Sequence, residues 1–84
     1  SYTGIEVDIF CETKQGFTGI EIKSAKRWDK AFNKGLNAVR REIGDRKVTC
    51  YGVYQGDKPA LLDDVSILPI MDFLTKLWQG EILS

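Results

Sequence analysis

Two carboxylates and a lysine gathered at one point can hold a hard divalent cation and orient water against a phosphate ester. Asp8, Glu21 and Lys23 are spaced so that a single hairpin would gather them. From Gly4 to Glu12 apolar and polar residues alternate, with Ile5, Val7, Ile9 and Cys11 on one face and Glu6, Asp8, Phe10 and Glu12 on the other. That is the period of a half-buried strand, and Phe17 to Ser24 repeats it. Thr13-Lys14-Gln15-Gly16 between them is polar and ends in glycine, as a four-residue hairpin loop does. If Glu12 faces Phe17, the register sets Ile9 opposite Ile20, Val7 opposite Ile22, Asp8 opposite Glu21 and Glu6 opposite Lys23.

Like charges directly opposite one another destabilise a sheet, so the Asp8–Glu21 pair needs positive charge nearby. Lys23, two residues beyond Glu21 on the same face, supplies it in the plainer reading, a solvated hairpin. A magnesium or manganese ion held by Asp8, Glu21 and the main-chain carbonyl of Ile22 supplies it in the other. In that reading Lys23 orients water or stabilises the charge that develops on phosphate. An alternating Ile-Glu-Ile-Lys strand is common in amphipathic sheets, so spacing alone leaves both readings open.

The remaining composition narrows the chemistry. The chain has no histidine, which removes imidazole bases and the Ser-His and Cys-His nucleophile pairs. Cys11 and Cys50 each sit in an apolar run and are expected as reduced, buried thiols of a cytoplasmic protein, with a disulfide between adjacent strands the alternative. No stretch approaches the length of a membrane span. Twelve bases balance twelve acids, but unevenly. Residues 1–22 carry four acids against one lysine, whereas residues 23–47 carry nine bases against three acids, a balance of +6. Such a segment serves either as a nucleic-acid surface or as a solvated helix face. Lys26 and Arg27, just past the second strand, are the leading candidates for phosphate contact, followed by Lys30, Lys34 and Arg41.

Eighty-four residues make one domain over 1–84. The absence of an initiator methionine before a strand-like pattern suggests a piece of a longer protein. From Trp28 the apolar period changes to that of a helix, through Phe32, Gly35, Leu36, Val39 and Ile43, with Gly44 as its cap. Val48–Tyr54 reads as a buried strand with Tyr51 and Tyr54 on opposite faces, and Gln55–Pro59 as a turn. Val65–Ile70 reads as a last strand, and Asp72 as the N-cap of a closing helix through Phe73, Leu74, Leu77 and Trp78. The order strand-strand-helix-strand-strand-helix predicts a mixed sheet with helices packed on it, an α/β or α+β sandwich.

Glu6-Val7-Asp8, a turn, Ile20-Glu21-Ile22-Lys23-Ser24, a basic helix and a strand ending Val53-Tyr54-Gln55-Gly56 resemble the core of the PD-(D/E)XK, or restriction-endonuclease-like, nuclease superfamily. The chain is most similar within it to the C-terminal domain of prokaryotic AAA-type ATPases, a likeness that extends over Val65–Phe73. The resemblance implies a restriction-endonuclease-like mixed sheet, with Asp8 as the motif aspartate, Glu21 as the acid of (D/E)XK and Lys23 as its lysine. It further implies a magnesium- or manganese-dependent nuclease, DNA as substrate and an upstream ATPase domain in the parent chain. Superfamily nucleases commonly add an acid from a helix ahead of the first strand, and this sequence starts too late to include it. The competing expectation is therefore a catalytically inactive DNA- or protein-binding module on the same fold. Phe10, beside Asp8 on the acidic face, suggests a cover there, from an upstream helix or from a second copy in a homodimer.

Overall fold

A computed structural model of the chain describes residues 6–44 and 47–84. The expected start of the first strand at Gly4 and Ile5, and Arg46 of the basic segment, lie outside the described residues. Among the described residues, five strands and two helices form a small mixed α/β domain, broadly α+β. In chain order they are β1 (Ile9–Thr13), β2 (Gly16–Ile22), a 3-10 turn (Lys30–Asn33), α1 (Lys34–Ile43), β3 (Val48–Tyr54), β4 (Ala60–Leu62), β5 (Val65–Pro69) and α2 (Ile70–Trp78). The sheet runs β1-β2-β3-β5-β4. Both outer pairs are antiparallel hairpins, and β2, β3 and β5 run parallel through the centre.

The hairpin register is the one the alternation dictates: Ile9 faces Ile20, Phe10 faces Gly19 and Glu12 faces Phe17. The loop is tighter than expected, because Thr13 and Gly16 themselves pair and leave only Lys14 and Gln15 to turn the chain. Gly16 stands at φ 141°, and a Cβ there would lie 2.3 Å from the Lys47 carbonyl oxygen, so the turn needs glycine on both counts.

Neighbouring residues of a strand face opposite ways, so β3 divides the core in two. Cys50 and Tyr54 pack with Leu36 of α1 and with Val65 and Ile67 of β5. Val53 packs with Ile20, Leu68, Phe73 of α2 and Ile82 on the other side. The helices therefore cover opposite faces of the sheet. Tyr51 and Tyr54 are separated as their spacing requires. Cys50 is buried and Cys11 half-buried, both free. The α2 helix buries only Phe73 and leaves Met71, Leu74 and Trp78 exposed.

Three local expectations are corrected. The helix expected from Trp28 begins as a 3-10 turn capped by Asp29, whose Oδ1 accepts the Ala31 N–H at 2.8 Å, and becomes α-helical only at Lys34. Asp72 lies in the first turn of α2 instead of capping it; Pro69 holds that position, with its fixed φ and no side-chain hydrogen bond. The expected element order lacked β4, which makes an outer hairpin with β5 through Asp63 and Asp64. Gly44 does cap α1, donating its N–H to the Arg40 carbonyl at φ 74°.

Asp63 and Asp64 have φ of 50° and 62°, the positive values a two-residue type I′ turn requires and that aspartate adopts at a cost. Asp63 also receives Arg40 Nη1 at its carbonyl (3.2 Å) and lies 3.8 Å from Lys30, whereas no such bond is found at Asp64 among the described residues. Asp64→Gly should therefore stabilise the domain by about 0.5 kcal/mol. Thermal melting should register this as a rise of roughly 2–4 °C.

Candidate functional site at the end of the hairpin

The β1–β2 ladder ends at Ile9 and Ile20, and the carboxylates take over from there. Alternate residues of a strand direct their N–H groups to the same neighbour, so the Ile22 N–H, like that of Ile20, faces β1. Asp8 Oδ2 accepts it at 2.8 Å, in the place a Val7 carbonyl would hold in a longer ladder. In return the Asp8 N–H donates to Glu21 Oε1 at 3.3 Å. The two acids expected to oppose one another across the sheet thus interlock through main chain and side chain.

Lys23 completes the cluster. Its Nζ lies 3.2 Å from Glu21 Oε2, and the two side chains are 37% and 13% exposed, respectively. The ammonium also sits 5.1 Å from the centre of the Phe32 ring, a cation–π distance. Its main-chain N–H donates to the Val53 carbonyl at 2.9 Å and extends the β2–β3 pairing beyond Ile22. Trp28 walls the same face. Glu21 is in register with Gly52 of β3, and the indole occupies the space over that glycine, where a Cβ would lie 2.5 Å from the ring. Trp28 Nε1 donates to Asn33 Oδ1 at 2.7 Å, and the fully buried Asn33 donates to the Leu62 carbonyl at 3.0 Å. The indole meets Phe32 edge-on at 5.1 Å, so the aromatic wall continues to the platform under Lys23.

Asp8, Glu21 and Lys23 are therefore brought together, and Ile22 touches the cluster through its N–H. Lys26, Arg27 and Lys34 are exposed, with no ion-pair partner among the described residues, and Arg41 is exposed too. Lys30 instead lies near Asp63 of the outer hairpin. Phe10 is partly covered by its own hairpin, stacked on Phe17 with ring centres 5.2 Å apart. Phe32 and Asn33 are contributions that sequence reasoning missed. Asn33 lies three residues before Leu36, on the buried side of the helical period, which is the signal that marks it.

The donor set is all oxygen and anionic, the type that suits magnesium or manganese. Among the described residues no group of three or more His, Cys, Asp or Glu is placed to share a metal. A cation here would rest on two carboxylates, which magnesium accepts when water and substrate phosphate complete its shell. Among the described residues Asp8 Oδ1 has no partner and Glu21 Oε2 is engaged only by Lys23, so the pair fits such an ion.

Fold and site define a small mixed α/β domain with an acidic pair and a lysine at the end of a hairpin. Residues 1–73 match the model of the family described as Domain of unknown function (DUF4143), and the chain belongs to that family. No curated protein and no solved structure matches it.

Proposed function

We propose that the domain is a restriction-endonuclease-like module of the PD-(D/E)XK type that hydrolyses nucleic-acid phosphodiesters with magnesium or manganese. The observation that carries this reading is the cluster itself: Asp8 and Glu21 interlocked, with the Lys23 ammonium 3.2 Å from Glu21. The central parallel strands joined through a crossover helix, with the hairpin outside them, support it. In hydrolysis water adds to phosphorus as one P–O bond to a sugar oxygen breaks, giving a phosphomonoester and a hydroxyl. Asp8, Glu21 and the Ile22 carbonyl would hold the cation, which when bound acidifies a coordinated water and polarises the phosphate. Lys23 neutralises charge developing on the phosphate oxygens, and Lys26, Arg27, Lys30 and Lys34 hold the strand by its backbone. The resemblance in sequence extends the proposal to a partner ATPase domain in a prokaryotic cytoplasm. In the structure, no described helix is long and apolar enough to cross a membrane.

A second reading, a binding module without catalysis, is favoured by the internal hydrogen bonds and ion pair that already engage both Glu21 oxygens. Calorimetric titration with magnesium and manganese, run beside a DNA-cleavage assay, separates the two. Asp8→Asn keeps an oxygen for the Ile22 N–H but removes charge, so it should abolish the binding heat and cleavage while leaving the fold intact. DNA binding without metal uptake or cleavage would leave only the second reading.

A further inference from the structure

Lys23 has two partners of different kinds. Its Nζ lies 3.2 Å from Glu21 Oε2, an oxygen that the proposed cation site needs, and 5.1 Å from the centre of the Phe32 ring, which is no metal ligand. Once Glu21 Oε2 coordinates a divalent cation, the ammonium loses its carboxylate and is repelled by a like charge at short range. A lysine head on a flexible stem, already more than one-third exposed, then leaves for water unless something else holds it. The ring remains. Its negative face attracts an ammonium without taking up the charge.

Phe32 is built as a fixed platform. It lies in the 3-10 turn, where its N–H donates to the Asp29 carbonyl at 2.8 Å and the Ala31 N–H donates to Asp29 Oδ1 at 2.8 Å. Asn33, the next residue, is fully buried and bonded to Trp28 and to the Leu62 carbonyl, and the indole meets the Phe32 ring edge-on. The base of the lysine is fixed as well, by its N–H on the Val53 carbonyl at 2.9 Å. Only the stem between them is free to favour carboxylate or ring. Packing alone asks for apolar bulk at position 32, which leucine supplies; the ammonium over the ring is what bulk does not explain.

We infer that Phe32 is a positioning residue: its ring holds the Lys23 ammonium at the cluster when Glu21 is given over to a cation, and so keeps the lysine within reach of a phosphate. The consequence for cleavage rests on the proposed phosphodiester site. The hold of the ring on the ammonium does not, and it can be read without metal or substrate.

The test is the ε-methylene signal of Lys23 in heteronuclear NMR of the chain made with isotope-labelled lysine. A group over an aromatic face resonates upfield, so this signal, identified by its absence from Lys23→Ala, should lie upfield of those of the exposed Lys26 and Lys34. Glu21→Gln removes the ion pair without any metal and should leave the signal upfield, as should saturating magnesium in the parent chain. Phe32→Leu should return it to the ordinary position, and Phe32→Tyr should keep it upfield. In the cleavage assay Phe32→Leu should lower kcat by about two- to fivefold, the factor to which an exposed cation–π contact converts, with KM unchanged and with no further effect on a Lys23→Ala background. A Lys23 signal at the ordinary position in the parent chain, or one that returns there in Glu21→Gln or with magnesium, would overturn the inference. An equal loss of kcat from Phe32→Leu with and without Lys23 would do the same. A signal upfield in Glu21→Gln and ordinary in Phe32→Leu, from a chain that neither takes up magnesium nor cleaves DNA, would support the hold of the ring and defeat the phosphodiester site alone.

Discussion

Lys23→Ala should lower metal-dependent DNA cleavage by about 100- to 1,000-fold, the loss typical when one group that stabilises transition-state charge is removed. The same variant should bind manganese at least as tightly as the parent chain, because Glu21 Oε2 loses its competitor 3.2 Å away and the acidic pair loses its nearest counter-charge. Stability should hardly change. An ion pair with a lysine more than one-third exposed contributes at most about 1 kcal/mol, and the main-chain bond from residue 23 to Val53 survives the substitution. This triple outcome separates a catalytic lysine from one that merely neutralises two carboxylates. Calorimetry, melting and a cleavage time course on the same preparations check it. Equal cleavage by both proteins would take Lys23 out of the chemistry.

The largest structural effect is expected at Asn33. Asn33→Leu keeps the side chain close in size but strands the Trp28 indole N–H and removes a donor from the Leu62 carbonyl, both bonded to the Asn33 amide. Leaving buried polar groups unpaired costs about 1–3 kcal/mol each, so a loss of about 2–4 kcal/mol is expected in urea unfolding. That is a large share of the total for a domain of this size. Combining it with Trp28→Phe supplies the internal check. With no indole N–H to strand, the cost of Asn33→Leu should shrink by about 1 kcal/mol or more, and simple additivity would show that the Trp28 bond carries little.

Much of the architecture was legible because local patterns agreed with one another. Strict alternation on both sides of a short polar loop fixed the register of β1 against β2, which brought Asp8, Glu21 and Lys23 together on paper as in the fold. The change of period at Trp28 placed the crossover helix, and the run Val48–Tyr54 placed the central strand. What escaped has physical reasons. Ala60–Leu62 is too short to show alternation, and its turn uses two aspartates where asparagine and glycine usually announce a type I′ hairpin. Asp8 was legible as an acid on a strand face, but not as the group that ends the ladder by capturing the Ile22 N–H, because a side chain replaces main chain there. Phe32 reads as core from its spacing and also serves Lys23, a role visible only once the 3-10 turn lies across the sheet.

The contrast between the two tryptophans reaches beyond stability. Trp78 is 92% exposed on the outer side of α2, whereas Trp28 is tucked over Gly52 with its N–H held by Asn33 and its ring edge-on to Phe32, the ring under Lys23. One indole is an optical reporter of bulk solvent and the other of the acidic cluster. A soluble quencher reaches the first far more readily than the second. With Trp78 silenced by phenylalanine, the intrinsic emission of the chain becomes a label-free signal from the candidate site.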